Sequence, residues 1–198
     1  LGCIALIVSI SILNGFEDKV KKKIISFEGD LRISGFRNFE KELEIIKYMN
    51  GISFAVPFKK RKGLIIAENE LTEMLTFKSV DFRYLKNFYN IDYDDKLKND
   101  NIPEIIIGQM TAQKLNVKKG DLVKITSPLD QNLSFGIPRV KQCRISQVFN
   151  TKVLDFDNQV VFIPEEIGNS LFVRKKIPDG IDLRFDELSS LGVENQIL

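Results

Sequence analysis

The chain has 198 residues, 43% of them hydrophobic and 28% charged, with a formal net charge of +2. It is long enough to bury a core in one or two lobes and too nearly neutral to imply a nucleic-acid partner. It contains no histidine, which excludes His-based triads, His metal sites and histidine pH switches, and its two cysteines, Cys3 and Cys143, suit neither a disulfide nor a zinc cluster.

Leu1 to Leu13 is continuously apolar or small, shorter than the roughly 20 residues a membrane helix needs. The basic leader and small-residue cleavage site of a signal peptide are both missing. Residues 1–13 therefore read as the end of a transmembrane helix in a chain that begins inside it; the rival is a buried core helix. Asn14-Gly15 interrupts the apolar run. Phe16, Val20, Ile24 and Phe27 then recur at helical spacing, with Glu17–Lys21 and Asp18–Lys22 as favourable i,i+4 pairs. Lys19, Lys21, Lys22 and Lys23 form a basic flank of the kind usually found on the cytoplasmic side. That rule compares two flanks, however, and large domains translocate largely regardless of charge.

Leu31 and Ile33 predict a strand, Asn38 caps a helix carrying Phe39, Leu43 and Ile46, and Ile52, Phe54 and Val56 alternate as the next strand. Lys59-Lys60-Arg61-Lys62-Gly63 reads as a solvated basic turn into Leu64–Ala67. Met74–Val80 predicts a strand and Asp81–Tyr89 a helix with Phe82, Leu85 and Tyr89 aligned. Asp92, Asp94 and Asp95 resemble the start of a calcium loop, but its glycine and terminal glutamate are absent, so a surface linker is expected. A lobe boundary is placed near Asn101.

Ile105–Ile107 is a short apolar run of the buried-strand kind, and Met110, Ala112 and Leu115 give a short helix one apolar face. Lys119-Gly120-Asp121 is a turn, Leu122–Ile125 a strand stopped by Pro128, and Val140–Phe149 the return strand. The connection is longer than the two to five residues a hairpin needs, so residues 128–141 read as a protruding arm. Pro128 and Pro138 stiffen it, Leu133, Phe135 and Ile137 alternate beside Gly136, and Lys124, Arg139 and Lys141 lie at its base. An apolar face anchors a partner and a basic base favours an acidic one; the alternative is a loop folded onto its own lobe with Phe135 buried. Asp155–Asn158 is expected as a loop, Val160–Ile163 as a strand, Pro164 with Glu165 and Glu166 as a helix start, and Asp182–Phe185 as a strand. A closing helix follows. The sum is an α+β fold. A mixed lobe spans 14–101, completed by 177–198, and a β-rich lobe with the arm spans 102–176. Walker A, GxSxG and GxGxxG patterns are all absent, so neither catalysis nor a cofactor is expected.

"IIIGQMTAQKLNVKKGDLVKITSP" followed by "FGIPRVKQCRISQVFNTKVLDFDNQVVFIP" resembles the extracytoplasmic domain of lipoprotein-releasing (Lol) ABC transporter permeases, within the wider MacB/FtsX-like superfamily. "SISILNGFEDKVKKKI" resembles the same family's exit from its first membrane helix, and "AVPF" at Ala55–Phe58 adds a further match. The resemblance is strongest from Gly108 to Pro164. It implies a bacterial inner-membrane permease with this domain in the periplasm, an ATP-binding partner subunit, and a second permease subunit, identical or paralogous. It also implies a periplasmic lipoprotein carrier docked on the arm, lipoprotein substrates, and mechanical coupling through Asn14, Gly15 and Phe16. Phe135-Gly136-Ile137-Pro138 matches the family's "Met-Gly-Arg-Ile-Pro" with a deletion, and the proline-bearing arm resembles the carrier-docking or merged subunit type. The rivals are an efflux or cell-division permease of the same architecture and a soluble two-lobe binding module.

Overall fold

The computed structural model of the chain describes residues 2–93, 102–130, 139–174 and 176–186. Helix α1 covers Gly2–Glu28 and continues through Asn14-Gly15. Its large apolar side chains from Ile4 to Phe16 are exposed, and no helix among the described residues is long and apolar enough to cross a membrane. Gly29, at φ +90°, ends the helix, its N–H donating to the Ile25 carbonyl at 2.8 Å.

The remaining elements are β1 (Leu31–Ser34), α2 (Phe39–Lys47), β2 (Ile52–Ala67), β3 (Thr72–Val80), β4 (Glu104–Gly108), α3 (Gln109–Leu115), β5 (Leu122–Thr126), β6 (Val140–Phe149), α4 (Leu154–Gln159), β7 (Val160–Pro164), α5 (Glu165–Leu171) and β8 (Gly180–Phe185). The class is α+β, as the sequence implies. Asn38 caps α2 by accepting from the Lys41 N–H, and Glu42, in the first turn, reaches back to accept from the Arg37 and Asn38 N–H groups.

The strands lie in the order β1-β8-β2-β3-β7-β4-β6-β5, and β5 pairs back onto β2. Six strands, β2, β3, β7, β4, β6 and β5, therefore close into a ring, with β3–β7 and β4–β6 parallel. Closure leaves these strands no open edge. Period-two alternation turns Ile65, Leu75, Phe77, Ile105, Ile107, Val123, Ile125, Cys143, Ile145, Val161 and Ile163 into its interior. Ile106 and Phe162 face outward, into a second cluster with Phe27, Val56, Phe58, Leu85, Phe88 and Tyr89. The first half of β2 leaves the ring to pair with β8, which pairs with β1. The three-stranded sheet so formed packs Ala55, Ile181 and Leu183 against Ile46 of α2.

Three local expectations change. Lys59–Gly63 is not a turn but the middle of β2, paired with β3 from Lys59↔Ser79 to Gly63↔Leu75. Gly63 is needed for close packing: a Cβ there would stand 2.1 Å from the Phe77 ring and 2.6 Å from the Thr126 carbonyl oxygen. Asp155–Asn158 belongs to helix α4 rather than a loop. Buried Asp157 organises the entry to it, accepting from the Thr151 N–H at 2.7 Å and the Lys152 N–H at 2.9 Å. The helix expected over Asp81–Tyr89 shortens to a 3₁₀ turn at Phe82–Tyr84, followed by irregular chain that buries Leu85, Phe88 and Tyr89. The arm tip at 131–138, Asp94 and Asp95, and the closing helix expected after Asp186 lie outside the described residues.

Because a Cβ at Gly63 would meet both the buried Phe77 ring and the Thr126 backbone, Gly63→Ala is expected to lower stability by about 1–3 kcal/mol, read as a reduced midpoint in urea denaturation with an unchanged slope.

Candidate functional site

The root of the arm is built from two neighbouring strands. β5 and β6 pair antiparallel, with Lys124 opposite Gln142, Ile125 opposite Lys141 and Thr126 opposite Val140. Directly opposed residues share a face, so Lys124 and Lys141 project from opposite faces of this ladder. Pro128 opens a 3₁₀ turn whose last residue, Asp130, is buried. The Asp130 carboxylate accepts from the Ser127 hydroxyl at 2.8 Å and the Arg174 N–H at 3.1 Å, and pairs with Arg61 at 3.3 Å. On the return side Arg139 donates to the Ser170 carbonyl at 3.0 Å. Both ends of the arm are thus tied to the segment around α5. Leu133, Phe135, Gly136, Ile137 and Pro138 lie outside the described residues. Asp130 carries no signal of this role in the sequence: an acidic residue two positions after a proline reads as turn chemistry until Arg61 arrives from β2.

A second constellation joins α1 to the sheet. Asn14, Gly15 and Phe16 stand on an exposed stretch of the helix, whereas the contacts to the domain are made by Phe27 to Asp30. The Phe27 ring stacks on Phe156 at 4.4 Å and lies 5.5 Å from the rings of Phe149 and Phe162 and 6.2 Å from Tyr89. Glu28 pairs with Arg32 at 3.1 Å and Lys60 at 3.4 Å. Asp30 donates its N–H to the Leu183 carbonyl and accepts from the Phe185 N–H, both at 2.8 Å.

Beneath this joint lies Asp182, completely buried. Its carboxylate accepts from Arg32 at 2.6 Å, from Lys78 at 2.7 Å and from the Tyr89 hydroxyl at 3.3 Å. The register explains why it is there. Arg32, Asp182 and Val56 are neighbours across β1, β8 and β2, while Lys60, Lys78 and Phe162 are neighbours across β2, β3 and β7. Two lysines directly opposite each other repel, and Asp182 and Glu28 supply the compensating charge. The Lys78 ammonium also lies 4.5 Å from the centre of the Tyr89 ring and 5.1 Å from that of Phe58. Burial drags Lys78 down from its ordinary 10.5 to about 8, with Asp182 opposing the shift and Lys60 and Arg32 adding to it. Burial pushes the Glu28 carboxyl up, but Arg32, Lys60 and Lys78 together hold it below its ordinary value.

Neither constellation offers an activated nucleophile. Cys143 is enclosed in the ring, where burial pushes its thiol up to about 12, and the described residues hold no metal-binding group of acids and cysteines.

No family model matches the chain. In sequence it is 24% identical, over 93% of its length, to the lipoprotein-releasing system transmembrane protein LolC of Neisseria meningitidis serogroup B. It is 25% identical, over 98% of its length, to LolC of Buchnera aphidicola subsp. Schizaphis graminum. In fold it matches the extracellular domain of the noncanonic ABC-type transporter YknZ from Gram-positive bacteria, with a TM-score of 0.53 and 13% identity over 79% of this chain and 77% of that one. The periplasmic region of MacB from Actinobacillus actinomycetemcomitans also gives a TM-score of 0.53, at 9% identity over 83% of this chain and 72% of that one. The similarity is to the extracytoplasmic domain of a Lol-type ABC permease. The chain spans about half the length of the curated relatives it matches, 46% of one and 50% of the other.

Two measurements probe the α1 joint. Phe27→Ala removes a ring packed among four others and is expected to cost about 3–5 kcal/mol in urea denaturation. The second concerns pH. An unfolded Lys78 keeps its proton up to its ordinary 10.5, while the folded one releases it near 8, so between these values the unfolded chain binds more protons and stability rises with pH. Stability of the native protein relative to Lys78→Met should therefore climb from pH 8 to pH 10 and stay flat from pH 6 to pH 7.5.

Proposed function

We propose that the chain is the periplasmic domain of an inner-membrane ABC permease that extracts lipoproteins and passes them to a periplasmic carrier docked on the arm at 128–141. The observation that carries this reading is the sequence similarity to two LolC proteins over 93% and 98% of the chain. The arm root supports it: the segment leaves and returns on paired strands and is anchored through Asp130 on one side and Arg139 on the other. Pre-organisation of that kind lowers the entropy lost on docking. The tip residues Leu133, Phe135 and Ile137 would anchor the carrier, with Gly136 and Pro138 shaping the tip and Pro128 its approach. Lys124, Arg139 and Lys141 would attract an acidic carrier surface from both faces of the ladder.

In this reading the domain is non-catalytic. ATP is hydrolysed on a partner subunit, a second permease subunit, identical or paralogous, completes the assembly, and the apolar first half of α1 lies in the membrane. The proposed lobe next to the membrane, 14–101 completed by 177–198, draws support from β8, which pairs with β1 and with the first half of β2. Residues 102–176 would form the arm-bearing lobe, into which the second half of β2 and β3 also pack. Movement of α1 enters the domain at Phe27–Asp30, and Asn14, Gly15 and Phe16 lie along the lever. The fold is shared with YknZ and MacB, so an efflux-type permease of the same architecture is the second reading, and the arm separates the two.

A binding titration of the domain against the organism's periplasmic lipoprotein carrier tests this. Saturable binding, weakened by Phe135→Ala and by Pro138→Ala, is the expected outcome. No binding to a folded carrier would favour the efflux-type reading, and equal binding by all three proteins would move the contact off the arm.

A further inference from the structure

Gly29, with its positive φ directly after a helix of 27 residues, has the look of a hinge. Its surroundings say otherwise. A Cβ at this position would stand 2.6 Å from the Leu183 carbonyl oxygen and 2.7 Å from the Phe88 ring, so the backbone here is already wedged against β8 and the second apolar cluster. The residues on either side are held as well. Phe27 sits among rings from β6, α4 and β7, which belong to the closed ring and its cover. Glu28 reaches β1 through Arg32 and β2 through Lys60, and Asp30 is bonded at both backbone and side chain to β8. Arg32 in turn shares Asp182 with Lys78 of β3.

The final turn of α1 therefore has two sides. Its aromatic side grips the ring, and its ionic side grips the three-stranded sheet β1–β8–β2. We infer that this turn is a clamp rather than a hinge: Phe27, Glu28 and Asp30 fix helix, ring and small sheet as one rigid body, so that a tilt of α1 is delivered whole to the arm root. A hinge at Gly29 would need the Asp30–Leu183 and Asp30–Phe185 bonds to open and the Phe27 ring to leave its enclosure together. Those events involve different elements, and the cost of breaking both at once is what keeps the angle fixed. The inference rests on the proposed reading of α1 as a permease helix coupled to an ATP-binding subunit, and not on the carrier-docking part of that reading.

Distances between spin labels in the full-length permease, assembled with its ATP-binding subunit in lipid nanodiscs, test it. With Cys3 replaced by serine and buried Cys143 left in place, labels go on exposed Lys19 of α1 paired with Glu68 at the end of β2, and on Lys19 paired with Lys47 of α2. A third pair, Lys118 and Glu166, reports on the ring itself. With labelled protein diluted into unlabelled protein, so that each assembly carries one labelled subunit, the expected result is one narrow distance for each α1 pair, unchanged between nucleotide-free and ATP-bound states. Phe27→Ala and Asp182→Asn should each abolish the narrow peak of the α1 pairs while the ring pair stays narrow. Should either substitution broaden the ring pair, Glu28→Gln and Phe27→Leu, which leave Asp182 untouched, are read by the same criterion. Two α1 distances in the unsubstituted protein, a shift on adding ATP, or narrow α1 peaks in the variants would each overturn the clamp.

Discussion

The carboxylate of Asp182 is the point on which the rest of the structure depends. Strand β2 carries four consecutive basic residues, Lys59 to Lys62, and its register places Lys60 directly beside Lys78. Lys78 is buried while Lys60 is part-exposed, and a buried ammonium beside a second one is tolerable only if acid arrives from elsewhere. Asp182 brings it from β8 and Glu28 from the end of α1. Apolar residues of similar volume would pack there with comparable stability; what the charges add is discrimination. A one-residue slip of β8 would turn Asp182 toward Ile46 and Ala55 on the α2 face and leave Lys78 alone. The network therefore penalises a one-residue slip directly.

From that constraint follows the division of labour in the fold. The closed ring has an interior of branched aliphatics with Phe77 and no open edge, and it presents the arm root on β5 and β6 as a rigid base. The three-stranded sheet, together with α2, is smaller and less enclosed, and it owes its position to the ionic row on one face as much as to its apolar contacts on the other. Helix α1 meets the molecule where these two bodies join. Its attachment lies at that seam, where a single turn reaches both.

The relatives fit this picture at two different levels. Identity near 24% over almost the entire chain connects it with LolC proteins, whereas YknZ and MacB share its fold at 13% and 9% identity. A fold held in common at such divergence reflects layer packing and strand order, which many sequences satisfy. Fold alone therefore does not distinguish among these proteins, and any difference must lie in side chains placed on the shared scaffold.

Local chemistry was legible because it is local. The cap at Asn38, the positive-φ turn at Gly120, the Pro164 helix start and the alternating strands around Ile107, Ile125 and Ile163 are each specified by residues within one turn or one strand of one another. The mistaken turn at Lys59–Gly63 and the mistaken loop at Asp155–Asn158 have a common cause. Glycine beside a charge run, and aspartate beside asparagine, are signals of chain reversal in isolation. Here the glycine makes room for Phe77 and Asp157 binds the backbone of Thr151 and Lys152. Most element types and the apolar faces of the strands are written into local sequence. Ring closure and the meeting of Glu28, Arg32, Lys60, Lys78 and Asp182 are tertiary. Those five residues span more than 150 positions of chain, and no propensity within a window of sequence reports a partner that far away.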